Sequence, residues 1–228
     1  MTDVRTSERE AWDQFYEDGR YSMVWPSEGV VRFVRRFRGA RSAAGKRALD
    51  LGCGNGRHLF LLVREGFVAS GCDLSPAAVS QANAWLEREG FPACAQTTSG
   101  PSLPYEAATF DLGLSYGVLD SMLPEMAERL VAETRRCLKP GAEFFATLRA
   151  SADRDYMQIG RPLARNTVEV DEVVERGTVQ HFFDLSEVRE LFGAFELMGL
   201  EREDRTDWLG TGRQYCRWEV RVRVPAGV

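Results

Sequence analysis

The stretch ALDLGCGNGRH, residues 48–58, sets Gly52, Gly54 and Gly56 within five positions, directly after an apolar run. A strand that enters such a turn and leaves it as a helix frees backbone N–H groups at the carboxyl edge of a sheet, where open α/β sheets bind ligands. The spacing is G-x-G-x-G, and Arg57 stands where the dinucleotide fingerprint needs its third glycine, which argues against a pyrophosphate ligand. Asp73 closes the next expected strand, seventeen residues beyond Gly56. From that place a carboxylate accepts hydrogen bonds from both hydroxyls of a ribose. Together the two features suit a nucleoside and demand no phosphate.

The elements that must position this loop follow from periodicity. Residues 7–19 and 26–39 read as two helices ahead of the first strand, the second capped by Ser27 with Val30, Val31, Val34 and Phe37 on one apolar stripe. From residue 47 onward strands and helices alternate: strand 47–52, helix 57–65, strand 67–72, helix 76–89, strands 93–98 and 110–116, helix 121–138, strand 142–149. Ser75 with Pro76, and the LKPG at 138–141, punctuate the helices. Such alternation makes a parallel, doubly wound α/β sheet. Residues 150–180 read as a loop with one or two irregular strands, an insertion ahead of a helix at 185–195 and two final strands, 195–204 and 215–224.

At 228 residues with 44% apolar content the chain suits one packed domain. No export signal or membrane span is expected, because residues 1–19 lack an apolar core and no later stretch approaches ~18 uncharged apolar residues. Five scattered cysteines, odd in number and never in CxxC spacing, fit reduced thiols in the cytoplasm, and with only two histidines no metal site is expected. The net charge of −5 disfavours a nucleic-acid partner and leaves a small molecule as the default. All but two of the 29 basic residues are arginine, a bias without functional weight. The basic run at 32–47 alternates with the apolar stripe of its helix and reads as a solvated face.

LDLGCGNGR at 49–57, GCDLS at 71–75, LPYEAATFDLGLSYGVLD at 103–120 and LKPGAEFFATLR at 138–149, in that order, resemble the class I S-adenosylmethionine-dependent methyltransferases over roughly residues 45–150. The resemblance implies a Rossmann-like seven-stranded sheet, mostly parallel with an antiparallel C-terminal strand, one domain over 1–228 with residues 1–40 as a helical lid, and S-adenosyl-L-methionine as cofactor. It further implies that Gly52 and Gly54 line the cofactor, that Asp50 supports the loop or the methionine ammonium, that Asp73 holds the ribose, and that Leu74 packs on the adenine. Ser99 stands where many relatives carry an aspartate for the adenine amino group, a departure from the pattern. Ser115 and Tyr116 leave the fourth strand beside the sulfonium, with Tyr116 the stronger contact.

Methyl transfer is an in-line displacement from an activated sulfonium, so the protein chiefly aligns the acceptor and excludes water; a base matters only for an acceptor that must lose a proton. His181, in VQHFFDLSEV, reads as that base or as a hydrogen-bonded structural residue, and Asp120, in GVLDSM, as a base or as the cap of the following helix. His58, behind the glycine loop, reads as structural. Tyr156 in the insertion either lines the pocket or is exposed. Arg149, Arg154, Arg161 and Arg165 cluster after the fifth strand, where an acceptor carrying a carboxylate or phosphate would suit them, as would plain solvation. Of the aromatic string Trp12, Phe15, Tyr16, Tyr21 and Trp25, the first three either pack a helix onto the sheet or join a lid, and Tyr21 and Trp25, in the link between helices, are the better lid candidates. The expected enzyme methylates oxygen or nitrogen of a small metabolite or natural-product intermediate, with RNA or protein methylation as the alternative and a nucleotide-dependent oxidoreductase as the weaker third.

Overall fold

The computed structural model describes residues 4–40, 42–153, 158, 160–171, 175–208, 210, 212 and 214–227. The apolar run before the glycine turn forms β1 (Arg47–Leu51), with β2 (Val68–Asp73) and β3 (Ala95–Thr97) on one side and β4 (Phe110–Ser115) and β5 (Leu138–Arg149) on the other, all parallel. The two final strands, β9 (Glu196–Thr206) and β10 (Gln214–Arg223), form a hairpin whose second arm inserts antiparallel beside β5, so the order is β3-β2-β1-β4-β5-β10-β9. This is the doubly wound, mostly parallel seven-stranded sheet expected.

The central strands are buried on both faces, and the pleat sends neighbouring residues to opposite cores. Phe144 belongs to the core that also holds Leu49, Phe110 and Leu130, the last from α5 (Pro124–Cys137). Phe145 stacks on Phe33 of α2 (Glu28–Ala40), with ring centroids 5.4 Å apart, in the core on the other face. The buried stripe of α2 is Val30, Phe33, Val34 and Phe37; Phe33 replaces the expected Val31, since positions i, i+3, i+4 and i+7 share one face. The remaining helices are α1 (Val4–Glu17), α3 (Arg57–Arg64), α4 (Pro76–Arg88) and α6 (Leu185–Leu191).

Two departures from the sequence reading bear on the site. First, α5 begins at Pro124, a residue suited to a helix's first turn because it has no N–H to satisfy. Residues 117–123 therefore remain a turn above the carboxyl ends of the strands. Second, the insertion builds a separate antiparallel sheet of three strands, β6 (Gly160–Ala164), β7 (Thr167–Val170) and β8 (Val179–His181), in place of one or two irregular ones. Of the basic run at 32–47, four residues form ion pairs, Arg35 and Arg38 with Glu65, Arg32 with Glu219 and Lys46 with Asp111. No helix among the described residues is long and apolar enough to cross a membrane.

Candidate active site

At the end of β1 the chain folds back on β2, with Gly52 N–H and Cys53 N–H both donating to the Cys72 carbonyl at 2.8 and 3.0 Å. Gly52 and Gly54 hold φ of 67° and 52°, which L side chains rarely adopt. Space forbids a side chain as well: a Cβ on Gly52 would lie 2.2 Å from Val118, and one on Gly54 would lie 2.4 Å from the Tyr16 hydroxyl. These glycines thus let protein groups close on the loop, in addition to leaving its N–H groups open.

Asp73 sits at the tip of β2 with one carboxylate oxygen accepting from Gly54 N–H at 2.9 Å and the other from Ser75 N–H at 3.0 Å. Two fixed donors orient the group, and each oxygen keeps a lone pair for a ribose hydroxyl. Burial raises its pKa, and the two N–H bonds oppose that rise. Asp50, 1% exposed under the loop, has one carboxylate oxygen with no hydrogen-bond partner. Burial pushes its pKa to about 7 against the pull of the Arg57 guanidinium. An orphaned acidic oxygen and an oriented diol acceptor beside one glycine loop form a donor set that fits the ammonium and ribose of an aminoacyl nucleoside.

Above the loop lies a cavity of about 650 Å³. Of the residues expected at the site, Tyr21, Gly52, Gly54, Asp73, Leu74, Ser99, Tyr116, Asp120 and Arg149 line it. Leu74 and Ser99 stand on the Asp73 side, above β2 and β3. Tyr116 stands at the end of β4, where Arg57 and Arg217 bring their guanidinium carbons to 5.0 and 4.7 Å from its ring centroid. Asp120 is 1% exposed and caps no helix: one oxygen accepts from Arg149 N–H at 2.8 Å, and the other is buried without a partner. Arg149 is already paired, with Glu175 at 3.0 Å and with Gln180 at 2.9 Å, while the Tyr21 hydroxyl donates to Glu175 at 2.6 Å. Tyr21, Glu175 and Arg149 therefore tie the N-terminal segment to the insertion across the mouth of β5.

Other expected residues lie elsewhere. Ser115 is fully buried, its hydroxyl without a hydrogen-bond partner, and it does not line the cavity. Trp25 is 81% exposed; it contributes only its carbonyl, which accepts from Arg57 at 3.3 Å, because the link runs over the outer rim of α3. His181 is 2% exposed and outside the cavity wall, its Nδ1 2.8 Å from the Thr167 hydroxyl and its ring edge-on to Phe183 at 4.4 Å. Burial lowers its pKa, and its N–H donates to the Asp120 carbonyl at 2.8 Å, so it braces the turn that carries Asp120. Arg161 and Arg165 pair at the surface with Glu169 and Asp184. Tyr156 and Arg154 lie outside the described residues. His58 lines the cavity but accepts from Ser27 N–H at 3.1 Å, and burial pushes its pKa down to about 3, which keeps the imidazole neutral.

Sequence reasoning missed Asp13, which fastens α1 to α4. Asp13 accepts from Ser75 Oγ at 2.6 Å and Ala77 N–H at 2.9 Å, so it caps α4 from another helix, and Trp12 and Tyr16 reach the cavity from the same face. The aromatic string was the available signal, and of it Trp12, Tyr16 and Tyr21 line the cavity while Trp25 does not. Arg217 and Glu175 gave no signal, since both come from segments remote in sequence.

Residues 49–146 match the family model of a methyltransferase domain. A ubiquinone biosynthesis O-methyltransferase from Nitrosococcus oceani is 37% identical over 140 residues, 60% of this chain and 56% of that protein. The EEF1A lysine methyltransferase 2 of Mus musculus is 34% identical over 93 residues, 36% of this chain and 38% of that protein. The chain thus spans about half the length, or less, of these curated relatives. Among solved structures, the magnesium protoporphyrin IX methyltransferase from Synechocystis PCC 6803 with bound S-adenosylmethionine superposes with a TM-score of 0.69 at 14% identity, over 98% of each chain. Sheet order, glycine loop and strand-end aspartate define a Rossmann-like methyltransferase fold. Residues 49–146 are thus similar to a methyltransferase domain, set in the fold that the solved S-adenosylmethionine-dependent methyltransferase shares.

Proposed function

We propose that this protein transfers a methyl group from S-adenosylmethionine to an oxygen or nitrogen of a small metabolite or natural-product intermediate. The observation that carries the reading is the Asp73 carboxylate, held by Gly54 and Ser75 N–H at the rim of a 650 Å³ cavity. Asp73 holds the ribose hydroxyls, Leu74 and Ser99 border the adenine, and Asp50 faces the methionine ammonium beneath the loop. Bound S-adenosylmethionine supplies a methyl group already activated by its sulfonium. The chain's own work is alignment and exclusion of water: α1 roofs the loop, Tyr116 walls the reacting side, and Tyr21 latches the roof through Glu175. Asp120 offers an unpartnered, buried oxygen to the cavity and accepts the proton of an acceptor hydroxyl or ammonium. We place the reaction in the cytoplasm, on the strength of five free thiols. The mouse relative favours a protein lysine as second acceptor class; the roof formed by α1 favours an acceptor small enough to be enclosed.

Calorimetric titration with S-adenosylhomocysteine tests the cofactor reading, with micromolar binding and a raised melting temperature expected. No heat with S-adenosylhomocysteine, together with binding of NAD, refutes it. Methyl-tritiated S-adenosylmethionine given to a size-fractionated cell extract tests the acceptor, with label expected in the small-molecule fraction; label confined to protein refutes that half.

A further inference from the structure

Arg217 enters the cavity from β10, 8% exposed, and its Nε is buried with no hydrogen-bond partner. No carboxylate among the described residues forms an ion pair with it. Its company is aromatic, the rings of Tyr116 and Tyr215, at 4.7 and 5.0 Å. A guanidinium withdrawn from water without a counter-ion is costly, and a ligand anion that arrives there relieves the cost. Two of the cavity's other cations, Arg149 and Arg57, are engaged. Arg149 is held by Glu175 and Gln180, and Arg57, which shares the Tyr116 ring with Arg217, donates to the Trp25 carbonyl and the Met23 sulfur.

The strand order says which ligand meets Arg217. The nucleoside and methionine features lie on β1 and β2, whereas β10 is three strands from β1, about 14 Å at the usual interstrand spacing. Arg217 pairs with Arg149 across β5 and β10, and the N–H of that same Arg149 donates to Asp120 at 2.8 Å. Arg217 and Asp120 thus flank one residue on the acceptor side of Tyr116. The cavity wall also carries apolar side chains, Val118, Met122, Met126 and Leu130.

We infer that the methyl acceptor is an apolar carboxylic acid whose carboxylate is bound by Arg217. A carboxylate matches one planar guanidinium by paired N–H donation. The inference rests on the methyltransferase reading, since it assigns β1 and β2 to the cofactor. It moves the anion site from Arg149, whose charge Glu175 neutralises, to a residue on the last strand.

The test uses the full chain saturated with S-adenosylhomocysteine and a set of matched aromatic acids and amides, 4-hydroxybenzoate with 4-hydroxybenzamide among them, read by ligand-observed NMR. The parent protein is expected to prefer the acids by roughly tenfold or more, as for a hydrogen bond to a charged group. Arg217→Gln should abolish that preference, Arg217→Lys should keep part of it, and S-adenosylhomocysteine affinity should stay within about twofold in both, with melting curves confirming that each is folded. Equal binding of acids and amides, or a preference that survives in Arg217→Gln, overturns the inference. Loss of S-adenosylhomocysteine affinity in both folded variants also overturns it, by assigning Arg217 to the cofactor. Failure of the parent to bind S-adenosylhomocysteine instead brings down the methyltransferase reading beneath it.

Discussion

Replacing Asp73 by alanine removes an acceptor that two backbone N–H groups orient, from Gly54 at 2.9 Å and Ser75 at 3.0 Å. In the complex the same two oxygens would also receive the ribose hydroxyls, so each oxygen shares itself between a backbone donor and a ligand donor. Sharing argues for a net loss equal to about one hydrogen bond to a charged group, about 1.5–3 kcal/mol. That is roughly a 10- to 150-fold rise in the S-adenosylhomocysteine dissociation constant, read by calorimetry. A double-mutant cycle isolates the contact: the 2′-deoxy analogue should bind the parent more weakly, and the penalty should vanish in Asp73→Ala. Because burial raises the Asp73 pKa, affinity should also fall as pH drops through that value, when the acceptor becomes protonated. Binding by Asp73→Ala within about threefold of the parent, or a 2′-deoxy penalty undiminished in the variant, would refute the assignment.

Asp13→Ala removes the borrowed cap of α4 and should cost about 1–2 kcal/mol of α1 docking, seen as faster proteolysis within the first twenty residues and faster release of S-adenosylhomocysteine. Asp120→Asn should lower turnover about 10²–10⁴-fold with cofactor affinity unchanged, given an acceptor that loses a proton. His181→Ala, by contrast, should mainly lower the melting temperature, because its ring serves Thr167 and Phe183; a kcat loss as large as that of Asp120→Asn in a fully folded variant would restore it as the base. His58 has a folded pKa near 3, below its unfolded value of about 6.5, so its stabilising contribution is complete above pH 6.5 and is lost as pH falls toward 3. Thermal melts from pH 7 to 4 should therefore fall less steeply for His58→Gln than for the parent. Asp50, whose folded pKa is raised to about 7, acts with the opposite sign in both proteins and cancels in that comparison.

The cofactor half of the site was legible in the sequence because it is local. A strand, three glycines and a strand-end aspartate lie within 27 residues, 47–73, and periodicity alone orders the elements that carry them. Gly52, Gly54, Asp73 and Leu74 line the cavity as the sequence placed them, while Asp50 lies buried beneath the loop outside its lining. The acceptor half is assembled from α1, the turn before Pro124, the insertion and β10, segments as much as two hundred residues apart. Nothing in VQHFFDLSEV says that His181 turns toward Thr167, or that Asp120 comes to face the cavity with one oxygen bare. Nor does the arginine cluster after residue 149 reveal that Glu175 cancels Arg149 while Arg217, nearly seventy residues on, stays unpaired. Side-chain partnership between distant segments depends on how β10 inserts beside β5, and that register exists only once the sheet has formed.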